Sequence, residues 1–307
     1  MPLLLLAASF VIFSMVYLAP GSPEATLLGG KRVDAATVQQ VREKYHLNDP
    51  FFVQYGSWLG RAGTGDLGDS ISQQDTVFNS LKPRIGPTLQ LTALAALMIV
   101  IGGIGFGVVS ALRPDGAVDV LSSIGVLVLA AVAPAIMSML LISIFAVSLG
   151  WFPALGLGDG GALDQLEHLF LPAVVLATSA IALVGRTTRA AMIRSMRQES
   201  VETARSRGLS SRKVVLKHAL RHALIPAVTI SGLVVGYLLS GAVIVEYAFG
   251  LNGLGSLLIS AVERKDFALV QAITLLMVLA FLLINLCVDL LYAVIDPRVR
   301  LQARGAR

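Results

Sequence analysis

Charge is scarce in this sequence. Asp, Glu, Lys and Arg make up 14% of its 307 residues and hydrophobic residues 55%, whereas a soluble globular domain carries about 25% charged residues. With a mean hydropathy of +0.77, the chain belongs in a bilayer. Cysteine is scarcer still: Cys287 stands alone, so an intrachain disulfide is excluded and the redox compartment is left open. Set inside an apolar run, it reads as small buried filler. Signatures of chemistry are missing too. There is no HExxH, no GxSxG, no GxxxxGK[ST] and no Cys–His cluster at metal-ligand spacing, so the chain supplies no ATPase and no recognisable catalytic centre. His46, His168, His218 and His222 are scattered over both sides of the expected membrane, which argues against a shared metal site.

What the chain has instead is apolar sequence in long runs. A helix needs about 20 apolar residues to cross about 30 Å of hydrocarbon, and six runs qualify: 3–19, 88–112, 118–149, 169–185, 223–249 and 269–295. The third is long enough to tilt or to end in an interfacial turn. Backbone at membrane depth must satisfy its own hydrogen bonds, and these runs are too long and too uniformly apolar for barrel strands. The expected fold class is an all-α transmembrane bundle of six helices. No Lys or Arg precedes the first run, and a secretory n-region is positive, so residues 1–19 read as a first membrane helix. The same missing flank is what a chain beginning slightly downstream of its natural start would show.

Cation placement sets the expected orientation, because short cytoplasmic loops retain Lys and Arg. Of 24 cations, fifteen fall on one side: Arg113, ten between Arg186 and Arg221, and four in the tail "DPRVRLQARGAR". Arg264 and Lys265 occupy a short outer loop, and seven lie between Pro20 and Pro87 in a segment long enough to escape the rule. Residues 20–87 are therefore expected outside, and the loop 186–222, the tail 296–307 and both termini in the cytoplasm. Residues 88–295 form the five-helix core that contains this loop.

The outer segment has its own pattern. "DAATVQQVREKYHL" offers Asp34 as a helix N-cap, with Val38, Val41 and Tyr45 at helical spacing. "DPFFVQYGSWLG" then gathers Phe51, Phe52, Tyr55 and Trp58, which fits either the membrane interface or the packing of a small cap. "GTGDLGDSIS" superficially suggests a phosphate cradle, but neither Lys-Ser nor Lys-Thr follows it, so nucleotide binding is discounted.

Within the spans, Gly103 and Gly107 on the second helix and Gly232 and Gly236 on the fifth are spaced as GxxxG, which permits close backbone approach. Asn285 and Asp289 share a face of the sixth helix. Asp289 stands less than two turns from the cytoplasmic end, where it reaches water, so a structural role is expected rather than a proton relay.

The cation-rich loop carries a more specific pattern. "GRTTRAAMIRSMRQESVETARSRG" is rich in helix formers and is expected to continue the fourth span into the cytoplasm. Val201, Ala204 and Gly208 fall on one small, smooth face. Gly208 is placed to stop the helix in the left-handed conformation, and Ser210 or Ser211 to cap the next. Beyond the turn, Leu216, Leu220 and Leu224 form one line and Lys213, Lys217 and Arg221 its neighbour, before Pro226 marks entry to the membrane.

These residues carry a resemblance. Glu202, Ala204, Gly208, Ile225 and Pro226 match the form E-x-A-x3-G-x16-I-P, which resembles the EAA loop of ABC importer permeases, with Thr203 in place of the middle Ala. The likeness covers nearly the whole chain. "APGSPE", "DPFFVQY", "GDLGDSI", "PTLQLT", "GRTTRAAM", "TARSRGLS", "GAVIVEYAFGLNGLG" and "VDLLYAVIDPRVR" look like the dipeptide and oligopeptide permease family, in its first-subunit branch. Ser22 and Asn252 depart from it, standing where the family has Asp and Pro. The resemblance implies a type I importer in the prokaryotic inner membrane: two homologous six-helix permeases form the pathway, two cytoplasmic ATPases bind ATP and Mg, and an external binding protein delivers peptide. It also implies that Val201, Glu202, Ala204, Gly208, Leu209 and Pro226 belong to the loop that docks on an ATPase, with Ala204 and Gly208 giving a close-fitting surface. Related permeases move glutathione or nickel complexes, so these stay open as substrates. No nucleic-acid partner and no cofactor of this chain's own are expected. A secondary transporter would need buried ionisable groups near the midplane and repeated halves, and an intramembrane enzyme a catalytic pair facing water; neither pattern stands out.

Overall fold

Helix is the dominant element wherever the chain is apolar, as backbone in hydrocarbon requires. The computed structural model describes residues 2–18, 39, 49–112, 114 and 116–295. Apart from Gln39, the expected helix from Asp34 through Tyr45 lies outside the described residues, as do Arg113, the tail 296–307 and the side chain of Asp289. The elements are α1 (Pro2–Leu18), α2 (Phe51–Gly63), the two-residue strands β1 (Asp69–Ser70) and β2 (Asp75–Thr76), α3 (Val77–Leu112), α4 (Ala117–Ala131) and α5 (Pro134–Leu141). There follow α6 (Ala162–Met196), α7 (Glu199–Ser206), α8 (Ser211–Ala248), α9 (Leu254–Glu263) and α10 (Phe267–Ile295). Among the described residues, α3, α6, α8 and the stretch Phe267–Val288 of α10 are long and apolar enough to cross a membrane, and α4 with α5 makes a fifth span if counted together. At 17 residues, α1 sits at the short edge of the spanning range.

The third apolar run is not one tilted helix. It breaks after Ala131, and the two pieces meet at 106°. Proline explains the site of the break: Val132 and Ala133 are extended (ψ 128° and 140°) and Pro134 opens α5, because a residue before proline is pushed out of the α region while proline itself suits a helix start. Past Leu141 the chain winds into a π turn over Ile142–Ser148.

Two compact units divide the chain: Met1–Thr88 with Gly250–Leu282, and Leu89–Phe249 with Leu283–Arg307. In the first, Phe10, Phe13 and Tyr17 of α1 interleave with Phe51, Phe52, Tyr55 and Trp58 of α2. Eight ring pairs between the two helices and within them have centroids between 5.1 and 5.7 Å. The aromatic cluster is thus packing material for α1, while Phe52 remains 74% exposed. Asp266 ties the glycine-rich turn down. Its Oδ2 accepts from Ser70 Oγ (2.6 Å) and Ser72 N (2.9 Å), and its Oδ1 from Leu269 N at the start of α10 (3.2 Å). The turn that resembled a phosphate cradle is therefore held by a buried carboxylate, an acceptor that repels phosphate.

The second unit is built on a stripe of α6. Ala173, Ala177, Ala180, Val184, Thr188, Ala191 and Ser195, spaced by three or four, are all buried. Cys287, expected as buried filler, is exposed on α10, because a helix facing lipid keeps apolar residues outside as readily as inside.

Candidate functional site

The expected continuation of the fourth span into the cation-rich loop holds as far as Met196; beyond it the loop is a separate helical bracket. Arg197 (φ −98°, ψ 5°) closes α6 and Gln198 is extended (ψ 147°), so the expected continuous helix is interrupted one turn before Val201. Helix propensity was high throughout this stretch; what favours a fresh start is the pair Glu199 and Glu202, two acids in the first turn of α7, where the helix dipole welcomes negative charge. At the other end Gly208 takes φ +76°. Gly208 N donates to Arg205 O (2.9 Å) and Leu209 N to Ala204 O (3.3 Å), the two bonds of a Schellman ending. A Cβ on Gly208 would meet nothing within 4 Å, so within this chain glycine is demanded by the backbone angle and not by space.

The face expected to meet a partner is turned inward. Val201 is fully buried and Ala204 is 4% exposed; both pack with Ala111, Ala191, Met192, Val214, Ala219 and Ala223. Ala204 therefore gives its surface to this chain and not to another, a correction to the sequence reading. What α7 and its turn present outward are Glu199, Ser200, Glu202, Thr203, Arg205, Ser206, Arg207, Gly208 and Leu209. Ser195 Oγ of α6 donates to Ala219 O of α8 (2.7 Å) and pins the bracket from behind.

The second helix of the loop also departs from expectation. It begins after Ser210, which is extended but makes no side-chain cap bond, and it contains a π turn over Val214–Ala219. A π turn spaces like positions by five, so the buried line runs Val214, Ala219, Ala223, Ala227. The expected line fails: Leu216 is 52% exposed and Leu220 and Leu224 only half-buried. Pro226 lies inside α8, which runs unbroken from the loop into its apolar stretch.

Three glycines bring α3 against α6. A Cβ on Gly103 would come within 2.6 Å of Val184 Cγ1, and one on Gly107 within 2.5 Å of Thr188 Cβ, 2.6 Å of Gly185 O and 2.9 Å of Arg189 N. Reciprocally, a Cβ on Gly185 would strike Phe106 Cδ1 at 2.4 Å. Gly185 escaped the sequence reading, although the small-residue stripe of α6 signals it. On α8, Gly232 faces Val288 of α10, whose Cγ1 lies 2.2 Å from a built Cβ, and Gly236 is buried.

Two further features were not read from sequence. Asp119, in the first turn of α4 and 3% exposed, receives Arg189 of α6 in a bidentate pair: Nε to Oδ1 2.8 Å, Nη2 to Oδ2 2.6 Å. The separation of 70 residues hides this partnership from any local pattern. Between α5, α6 and α8 lies a half-open cavity of about 330 Å³, bounded by Pro134, Leu176, Ser179, Leu183, Tyr237 and Leu238 among others, with no charged residue among the described residues of its wall. Among the described residues no group of His, Cys, Asp and Glu is arranged to hold a metal ion.

Residues 103–301 match the family model described as binding-protein-dependent transport system inner membrane component, and residues 1–92 its N-terminal membrane-component companion. The chain is 38% identical over 297 residues to the glutathione transport system permease protein GsiC of Escherichia coli (strain K12), covering 96% of this chain and 94% of that one. The GsiC protein of Shigella dysenteriae serotype 1 matches to the same extent. Among solved structures, a chain of the MetNI methionine ABC transporter in an inward-facing conformation superposes with a TM-score of 0.57 at 18% identity, covering 70% of this chain and 95% of that chain. A chain of an amino acid ABC transporter superposes with a TM-score of 0.50 at 17% identity, covering 78% and 98%.

Proposed function

We infer a substrate and a coupling role from one premise: this chain belongs to the binding-protein-dependent transport system inner membrane component family and is a permease subunit of an ABC importer. It is a multi-pass inner-membrane protein, it works with a second permease, ATPase subunits and a binding protein, and ATP is hydrolysed by the ATPases. The reading we favour for its cargo is a short peptide, glutathione included, since glutathione is itself a tripeptide. The observation that carries it is the 38% identity across 96% of the chain to a permease named for glutathione. An uncharged cavity wall suits a pathway that passes cargo without holding it, leaving choice to the binding protein. The test is ATPase activity of the reconstituted complex with its binding protein. Glutathione or a dipeptide is expected to stimulate turnover several-fold; stimulation by a nickel chelate alone, with both peptides inert, overturns the cargo reading.

The coupling role falls to the loop 186–222. Glu202, Gly208 and Leu209 are its outward residues toward an ATPase; Val201 and Ala204 hold its shape, and Pro226 lies within α8 where that helix leaves the loop for its apolar stretch. Fifteen of 24 cations fall on the side of this loop, which supports a cytoplasmic loop, cytoplasmic termini and an outer segment at residues 20–87. In a Cys287→Ala background, Ser210→Cys is expected to resist an impermeant thiol reagent on intact cells and to react once the membrane is opened. Labelling on intact cells reverses the topology.

A further inference from the structure

A line of fixed contacts leads from the loop to the cavity, and every link lies within one compact unit. Val201 and Ala204 of α7 pack on Met192 and Ala191 of α6. Ser195, one turn further along α6, is bonded to the backbone of α8. Met192 stands three residues from Arg189, so both lie on adjoining turns of one face. Arg189 then holds Asp119 through two charge-assisted bonds in a fixed fork. From Asp119, α4 runs 13 residues to Ala131, about 18 Å, and ends at the break where Pro134 turns into the cavity wall.

Two properties single out the pair within this line. Its other links are apolar contacts and the single hydrogen bond from Ser195, which yield at little cost; a bidentate Arg–carboxylate pair resists both rotation and translation. Asp119 is also nearly buried, so water competes little for the hydrogen bonds of the pair. Movement of α6 at its loop end must therefore carry the start of α4 with it.

We propose that Asp119 and Arg189 are a positioning pair that transmits displacement of the coupling loop through α4 to the broken α4–α5 turn at the cavity. The proposal rests on the coupling role assigned to the loop. Neither residue touches cargo or nucleotide; both act by making α4 follow α6. Breaking the pair disconnects ATPase from pathway without removing either.

The experiment uses the whole complex in proteoliposomes with its ATPases and binding protein, comparing wild type with Asp119→Asn, Arg189→Gln and the reversal Asp119→Arg with Arg189→Asp. In the single variants, basal ATP hydrolysis is expected within about twofold of wild type, while stimulation by loaded binding protein and uptake fall at least tenfold; the reversal is expected to recover at least a third of the lost stimulation. Normal uptake in both single variants overturns the proposal. To meet the case of poor assembly, Asp119→Cys with Arg189→Cys in a Cys287→Ala background is assayed before and after bridging by a short bismaleimide. Bridging is expected to restore stimulation in the same preparation, and equal stimulation before and after bridging overturns the proposal. Gly208→Val serves as the reference for the loop itself. Loss of coupling there with normal pair variants sinks the pair alone; normal coupling there with defective pair variants sinks the coupling reading as well.

Discussion

Ala204→Arg is expected to abolish coupled transport by dislodging α7, with the spanning helices left in place. The eight-residue helix is anchored by two buried side chains, Val201 and Ala204. Burying a valine contributes about 1.5–3 kcal/mol, and overpacking a filled site costs about 1–3 kcal/mol. An arginine at a position 4% exposed adds the expense of desolvating a charge. The penalty thus equals or exceeds what holds the helix down, and α7 should swing free. Had Ala204 faced a partner, the substitution would have weakened docking on an intact loop. A broad-specificity protease, for which the new arginine adds no site of its own, separates the two cases: a dislodged α7 is cut rapidly between positions 199 and 206, an intact one is not. Membrane abundance should stay near wild type, co-purification of the ATPases should fall sharply and uptake should be lost. Glu202→Ala, an exposed change in the same turn, should alter loop stability by less than about 0.5 kcal/mol. Normal uptake and a wild-type digestion pattern in Ala204→Arg would contradict this account.

The other large effect is expected from Gly107→Leu. A single carbon at this position already lies 2.6 Å from Gly185 O and 2.9 Å from Arg189 N, and backbone atoms cannot turn aside as a side chain does. Gly107→Ala should cost about 1–3 kcal/mol. Leucine should force α3 away from α6 altogether and disturb the turn of α6 that carries Arg189. Gly105→Leu supplies the control: two residues away on the same helix, it has nothing within 4 Å of its built Cβ. Thermal unfolding followed by fluorescence-detected size exclusion should show Gly107→Leu aggregated or strongly destabilised and Gly105→Leu near wild type. Equal behaviour of the two would mean that the close approach of α3 and α6 is not needed for the fold.

By itself the amino-acid order determined what depends on solvent and on near neighbours. Bilayer residence and helical class followed from apolar run length, because hydrocarbon leaves the backbone no other partner than itself. The helix stop at Gly208 followed from the one residue type at ease at φ +76°. Family membership followed from motifs spread along the chain. What only the tertiary structure decided is the facing of residues and their distant partnerships. One extra residue per turn over Val214–Ala219 moved the buried line off Leu216, and proline at 134 split a run that hydropathy read as continuous. Val201 and Ala204 turned inward because the chain's own α6 and α8 cover them. Asp119 found Arg189 across 70 residues. Periodicity records which residues share a face of a helix; only packing settles what that face meets, since a small apolar surface suits a neighbouring helix, a lipid tail or a partner subunit equally well.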